Sequence, residues 1–296
     1  MKAPARWGLR WHIWVAGTIA VLGLMLAGNT LSRYFGLLSP AKSPEAVSRM
    51  IASYYRVTLP DGTGPWPTAL LFSGCDGPRD NMDRWAEALA TAGWASVIVD
   101  SHGPRGYMDA RIWRLICAGQ LLTGAERAGD VAVAIEDARA MDGVDPDRLL
   151  LLGASHGGWA ILDMLALYDR GERPHGLSRW PPSISERGLT GILGAVLFYP
   201  YCGAGSQVAR FGWTTDVPTL FLLVEGDTIA DETSCEDLVA RMAAQGNDVT
   251  SLVLDGATHG FDQAEKSPFS ILEFSPEATR AAQMAVESFL ERLSPR

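Results

Sequence analysis

Six short apolar runs do most to limit what this chain can fold into. They are "TALLFS" (Thr68–Ser73), "ASVIVD" (Ala95–Asp100), "RLLLLG" (Arg148–Gly153), "GAVLFYP" (Gly194–Pro200), "TLFLLVEG" (Thr219–Gly226) and "TSLVLDG" (Thr250–Gly256). Each is continuous rather than alternating, as strands covered on both faces are. Helix candidates lie between them, at Asn81–Ala92, Gly124–Met141, His156–Tyr168, Ser234–Gln245 and Pro276–Leu293. The first follows a capping residue and stops at Gly93. Such alternation predicts an α/β class: a mainly parallel, doubly wound sheet with helices on both faces. Sites in such sheets lie at the carboxyl ends of the strands. One interval departs from the rhythm. Arg170 to Thr190 is rich in Pro, Ser and Gly and reads as an irregular insertion, either a substrate-shaping loop or a passive surface excursion.

The N-terminus obeys a different rule. Trp11 to Ser32 runs for 22 residues without an acid, Lys or Arg. A bilayer core needs about 20 such residues as helix. Trp7, Trp11 and Trp14 gather at one end, as in an aromatic belt, and Lys2, Arg6 and Arg10 precede the run. The expectation is an uncleaved transmembrane anchor over residues 1–38, with a catalytic domain at 39–296 outside the cytoplasm, on the periplasmic side in a bacterium. The alternative is a signal peptide cleaved near Leu26-Ala27-Gly28, leaving a secreted or periplasmic domain. No Cys follows the run directly, which disfavours a lipoprotein anchor. "SPAKSPEAVSRM", Ser39 to Met50, reads as a short linker.

Without Lys2, Arg6, Arg10 and Arg33, 21 basic residues face 34 acidic ones. An acidic domain with no Lys/Arg run offers nucleic acid no phosphate-binding face. No His/Cys/carboxylate cluster has ligand spacing and no nucleotide fingerprint occurs, so neither metal nor cofactor is expected.

Chemistry concentrates where "RLLLLG" ends. Gly153-Ala154-Ser155-His156-Gly157 matches Gly-x-Ser-x-Gly between a strand and a helix. The motif sets a nucleophile on a strained corner, and its flanking positions are small because strand and helix approach closely there. A serine needs a base, and the base an orienting carboxylate. Of five histidines, His12 lies in the apolar run, His156 adjoins the serine and His175 lies in the insertion. His259, after the last strand, is the base, with His102 as runner-up. For the acid, "LLVEGDTIADET" offers Glu225, Asp227, Asp231 and Glu232. Asp227 follows its strand directly, while Asp231 is the second choice and also suits a helix N-cap. The backbone amides of His156 and Cys75 are the oxyanion-hole candidates. Arg105 and His102, in "DSHGPRG", are substrate-binding candidates; Arg105 is equally suited to bracing its own loop.

Together "FSGCDG", "DSHGPRG", "GASHGG", "FYPYCG" and "DGATHGFD" resemble the dienelactone hydrolase family of α/β-hydrolases, from about Ala69 to the C-terminus. The resemblance implies the α/β-hydrolase fold and a small-molecule ester or lactone as substrate. The founding members carry a cysteine where Ser155 stands, so a serine-nucleophile member is implied. Related members often carry His-Gly where this chain has Ser73-Gly74, and many place the acid after Gly-x-x, whereas Asp227 follows Gly226 directly. The expected activity is a serine hydrolase, with an acyltransferase or a non-catalytic binding protein on the same fold as alternatives.

The cysteines, Cys75, Cys117, Cys202 and Cys235, are even in number in a domain expected to meet an oxidising compartment. Cys202 and Cys235 follow consecutive strands, so both belong at the carboxyl edge. Cys75 and Cys117 belong to segments expected to cross the same rim. The pairs Cys202–Cys235 and Cys75–Cys117 follow, with four free thiols as the alternative.

Overall fold

The computed structural model describes residues 7–108 and 111–293. In chain order the elements are α1 (Trp7–Tyr34), α2 (Pro44–Ile51), β1 (Arg56–Thr58), β2 (Trp66–Phe72), α3 (Asp80–Thr91), β3 (Ala95–Val99), α4 (Trp113–Cys117), α5 (Gly124–Arg139) and β4 (Val144–Ala154). Then come α6 (His156–Asp169), α7 (Pro182–Arg187), β5 (Ile192–Phe198), α8 (Val208–Phe211), β6 (Thr219–Val224), α9 (Glu232–Ala244), β7 (Val249–Leu254) and α10 (Pro276–Leu293). The strands form one sheet in the order β1-β3-β2-β4-β5-β6-β7. All neighbours are parallel except β1, which pairs antiparallel with β3 at one edge.

The leucine run of β4 accounts for the two cores. Successive side chains on a strand face opposite ways. Leu149 and Leu151 therefore join a core with α2, α5, α6 and α9, whereas Leu150 and Leu152 join a second core with α3 and α10. A strand at the centre of the sheet has no wet face, so it carries no alternation. The same split runs through β6, where Phe221 and Leu223 face one core and Leu220, Leu222 and Val224 the other. Crossover handedness then stacks the helices on both sides, and the strand ends align along one rim.

Three sequence expectations change. β1 is too short and exposed to announce itself as a strand. The segment read as a linker, Ser39–Met50, is half helix: Ser43 caps α2 by accepting from the Ala46 amide, and Val47 and Ile51 enter the core. The interval 170–190 holds α7 and turns away from the site. The Lys42 amide donates to the Gly176 carbonyl (2.8 Å) and the Ser178 amide to that of Lys42 (2.9 Å), so the interval clamps the chain leading into α2. The passive alternative describes it.

α1 stands apart. Among its described residues Trp14, Leu24 and Met25 are largely exposed, and the span Trp11–Tyr34 is long and apolar enough to cross a membrane. Lys2 and Arg6, which bear on its orientation, lie outside the described residues.

Candidate active site

Ser155 is the single residue between β4 and α6, with φ +50° and ψ −111°. A non-glycine residue adopts this backbone only where its surroundings over-determine it. They do. The Ser155 amide donates to the Phe198 carbonyl at 2.8 Å, fixing the corner to β5. A Cβ on Gly157 would lie 2.1 Å from the Phe72 carbonyl oxygen, and one on Gly153 2.6 Å from the Gly157 backbone. Glycine is thus required on both sides by close approach of helix and strand.

His259, on the turn after β7, reaches this corner. Its Nε2 lies 2.8 Å from Ser155 Oγ and its Nδ1 2.7 Å from Asp227 Oδ2. A carboxylate can only accept, so Nδ1 carries the proton and Nε2 is free to accept from the serine hydroxyl. The second oxygen of Asp227 accepts from the Ile229 and Ala230 amides at 2.8 and 3.1 Å. Burial pushes the Asp227 carboxyl up, but the hydrogen bond and charge of His259 and these two amides outweigh it and hold the carboxyl below its ordinary value. Asp231, the second choice, turns to its own helix and accepts from Ser234 Oγ at 2.9 Å. Glu232 accepts from the Gly226 and Asp227 amides at 2.8 and 2.9 Å, steadying the turn that carries Asp227. Glu225 is exposed. The three residues so joined form a continuous hydrogen-bond relay ending on a hydroxyl.

Two residues outside the sequence-derived set support this relay. Tyr199 has φ +36° and packs its ring against that of His259, with centroids 4.6 Å apart and the planes tilted by 57°. Its hydroxyl donates to Asp262, which also accepts from Trp85 Nε1 at 2.7 Å. The loop carrying His259 is thus pinned to both α3 and the end of β5. Arg127, on α5, is fully buried. It donates to the Ser73 carbonyl (2.7 Å), Ser101 Oγ (3.1 Å) and His156 Nδ1 (3.1 Å). It therefore ties the end of β2, which leads into Cys75, to the residue after Ser155. Burial lowers its guanidinium to about 10 and, with Arg127 beside it, also holds His156 neutral, well below its ordinary value. Tyr199 stands in the quoted "FYPYCG", but nothing in its type or spacing distinguishes it from a strand-end aromatic. Arg127 is one arginine on a predicted helix, and only the third dimension reveals what it joins.

Other candidates land elsewhere. The expectation that Arg105 meets substrate is corrected: its guanidinium forks onto Asp130 at 2.9 Å through both nitrogens and bonds the Ser101 carbonyl at 2.7 Å. It lines a separate pocket with Arg33 and His175, so the bracing alternative holds. His102 is likewise corrected. It is fully buried beneath the loop, where desolvation and then the Arg127 charge hold it neutral, and it walls neither lobe of the cleft. Cys75 and His156 both line the cleft beside Ser155. Cys75 is bonded to Cys117 and Cys202 to Cys235, each with Cα atoms 5.1 Å apart. Among the described residues no group of His, Cys, Asp and Glu could hold a metal ion.

The cleft has two lobes that meet at Ser155, Cys75, Cys117 and Ile229. One, about 300 Å³, is walled by Thr30, Tyr34, Gly119, Trp159 and Tyr201. The other, also about 300 Å³, is walled by Trp113, Tyr199, Phe269, Ile271 and Leu272. Both are mainly apolar, as small-molecule sites generally are.

The fold is the α/β-hydrolase fold, with serine, histidine and carboxylate in the chain order of that class. Solved structures that share this fold include dienelactone hydrolase-like proteins. A Klebsiella pneumoniae protein described as a dienelactone hydrolase aligns at a TM-score of 0.59 and 16% identity, over 80% of this chain and 92% of its own. Thermogutta terrifontis esterase 2, in a form phosphoramylated by tabun, aligns at 0.58 and 17% identity, over 82% and 91%. A dienelactone hydrolase-like promiscuous phosphotriesterase from metagenomic libraries aligns at 0.55 and 16% identity, over 81% and 92%. No family model and no curated protein sequence matches the chain.

Proposed function

We propose that this protein is a serine hydrolase that cleaves a carboxylic ester or lactone through an acyl-enzyme. The observation that carries the reading is the unbroken hydrogen-bond relay from Asp227 through His259 to Ser155, at the junction of two apolar lobes. Ser155 Oγ attacks the acyl carbon as His259 Nε2 takes its proton. The negative oxygen of the tetrahedral intermediate is held by the Cys75 and His156 amides. As the intermediate collapses, the C–O bond to the alcohol breaks and His259 returns the proton to the leaving oxygen. Water then repeats the sequence on the acyl-enzyme and releases the carboxylic acid. Asp227 holds the tautomer and stabilises the imidazolium. The esterase and phosphotriesterase among the structural neighbours support ester-type chemistry. A fluorophosphonate probe is expected to label Ser155 in the native protein and not after denaturation. Labelling elsewhere, or none, would remove the proposal.

Arg127 is a positioning residue in this scheme. Arg127→Met keeps the stem volume but frees both the Ser73 carbonyl and His156. A misplacement of the oxyanion donors by less than an ångström is expected to lower kcat by about tenfold or more at similar KM. Leaving the Ser73 carbonyl and His156 buried without this donor also costs stability, by about 1–3 kcal/mol per group. A merely structural role would lower the thermal midpoint but spare kcat in the folded fraction.

We further propose that α1 is an uncleaved anchor and that residues 39–296 form the catalytic domain outside the cytoplasm. α1 runs unbroken from Trp7 through the candidate cleavage site at Leu26-Ala27-Gly28 to Tyr34, and its last turns bond to the domain: Arg33 pairs with Glu126 at 2.8 Å and Asn29 donates to the Gln120 side chain at 2.8 Å. The full-length protein is expected to stay with membranes through a carbonate wash. A mature N-terminus just past Ala27 would replace the anchor by a cleaved signal.

A further inference from the structure

The lobe walled by Thr30 and Tyr34 is built partly by the last turn of α1. A membrane anchor joined to its domain by a free tether would have no part in the cleft. Here the join is rigid. Asn29 Nδ2 donates to the Gln120 carbonyl (3.0 Å) and to its side chain (2.8 Å), and Gln120 Nε2 donates to Thr30 Oγ1 (2.7 Å). Gln207 Nε2 donates to the Tyr34 carbonyl at 3.1 Å, and Arg33 pairs with Glu126. Between α1 and α2 only residues 35–43 intervene, and Lys42 is itself clamped by Gly176 and Ser178. The domain cannot swing away from the point where α1 leaves the bilayer.

Depth follows from helix geometry. Trp11–Tyr34 is 24 residues, a rise of about 36 Å at ~1.5 Å per residue. A hydrocarbon core of ~30 Å leaves the last turn at the headgroup level. The mouth of the cleft is therefore held there as well. Its rim is suited to that depth: Phe269 is 85% exposed and Ile271 69%, and both continue inward as walls of the second lobe. Off the end of α1, Phe35 and Leu37 are exposed too. Among the described residues neither lobe is lined by a Lys or Arg, Arg114 lying over the outer rings of Trp113 and Phe269 at the rim, and Asp76 is the one acidic side chain along both walls.

We infer that the substrate is an amphiphilic ester resident in the bilayer leaflet facing the domain, which enters the cleft sideways along the last turn of α1 and lays its acyl chain in an apolar lobe. This rests on the proposed ester hydrolysis and on the proposed anchor. The alternatives, a water-soluble ester from bulk solution or a soluble long-chain ester, are outcomes of the test.

The full chain is reconstituted into phosphatidylcholine vesicles and given two esters: p-nitrophenyl acetate in solution and 4-methylumbelliferyl oleate in lipid. The oleate is dissolved either in the enzyme's own vesicles or, at the same total amount, in separate protein-free vesicles. Confinement to one surface raises the local substrate concentration, so own-vesicle oleate is expected to turn over about tenfold faster or more. Initial rates should follow the mole fraction of oleate in the bilayer, not its bulk concentration. Equal rates from the two vesicle populations mean capture from solution and overturn the inference. Acetate turnover with no oleate turnover overturns it as well, while leaving the hydrolase reading in place. Loss of turnover on both esters, with no fluorophosphonate labelling, removes the hydrolase reading and the inference together. The undocked variant Asn29→Ala/Arg33→Ala is expected to lower the oleate-to-acetate rate ratio in own vesicles by roughly fivefold or more. An unchanged ratio overturns the role of the docked turn.

Discussion

Ser155→Ala and His259→Ala are each expected to lower hydrolysis of p-nitrophenyl acetate by about 10³-fold or more. The size of the effect comes from cooperation. Without the hydroxyl there is no acyl-enzyme, and without the imidazole the hydroxyl keeps its proton at neutral pH. Each knockout thus removes the same relay, so the double variant should be little worse than either single one. Asp227→Asn is expected to cost less than either and clearly more than Asp231→Asn. The amide cannot stabilise an imidazolium by charge and favours the wrong tautomer, whereas the Asp231 carboxylate accepts from Ser234 of its own helix. Steady-state kinetics on folded protein, verified by circular dichroism, decide the matter. Near-normal turnover in either single knockout would sink the mechanism, and a reversed Asp ranking would move the acid to Asp231.

The second large effect is on folding. Gly157→Ala adds one methyl group, yet its Cβ would lie 2.1 Å from the Phe72 carbonyl oxygen, 2.6 Å from its carbon and 2.8 Å from the Ser73 carbonyl oxygen. All three are backbone atoms of β2 and its exit, and no rotamer change relieves them. Either α6 lifts from the sheet or β2 moves away from β4. Over-packing that side chains can absorb already costs about 1–3 kcal/mol, and this clash cannot be absorbed that way. A fall in the thermal midpoint of roughly 10 °C or more is expected, or a failure to accumulate as folded protein. Gly246→Ala is a fair comparison. Its φ of +90° strains the substitution, but nothing lies within 4 Å of the added atom. A Gly157→Ala protein as stable as wild type would mean that α6 and β2 are not packed as described.

Both effects originate at positions that were legible early. The strands were readable because full burial on both faces leaves an unbroken apolar run, and β2 to β7 all lie within a few residues of the runs that predict them. β1 was not readable, since three half-wet residues at an edge carry no pattern. Ser155, His259 and Asp227 were readable because each sits just past a strand, where the chain must turn and where this fold collects chemistry. Arg105 and His102 also follow a strand, and there position misled: what decided their fate was Asp130 and Arg127, arriving from a helix more than twenty residues later. Tyr34 lies two residues past the apolar run, where nothing in the sequence marks it out. That it walls the cleft depends on a fold-level contact with no local trace.

The four leucines of β4 carry one more implication. Leu149 to Leu152 are chemically identical, so exchanging which pair faces which core would leave the apolar content of each core the same. A slip of one residue normally betrays itself by sending polar groups inward. In this strand the side chains are silent about such a slip, although it would turn the serine to the wrong face of the sheet. The positional information must reside elsewhere, and it does. Only glycine tolerates the approach at 153 and at 157, and these two residues bracket Ser155. The strand is written in a single repeated letter, and the corner glycines supply the punctuation that sets its reading frame.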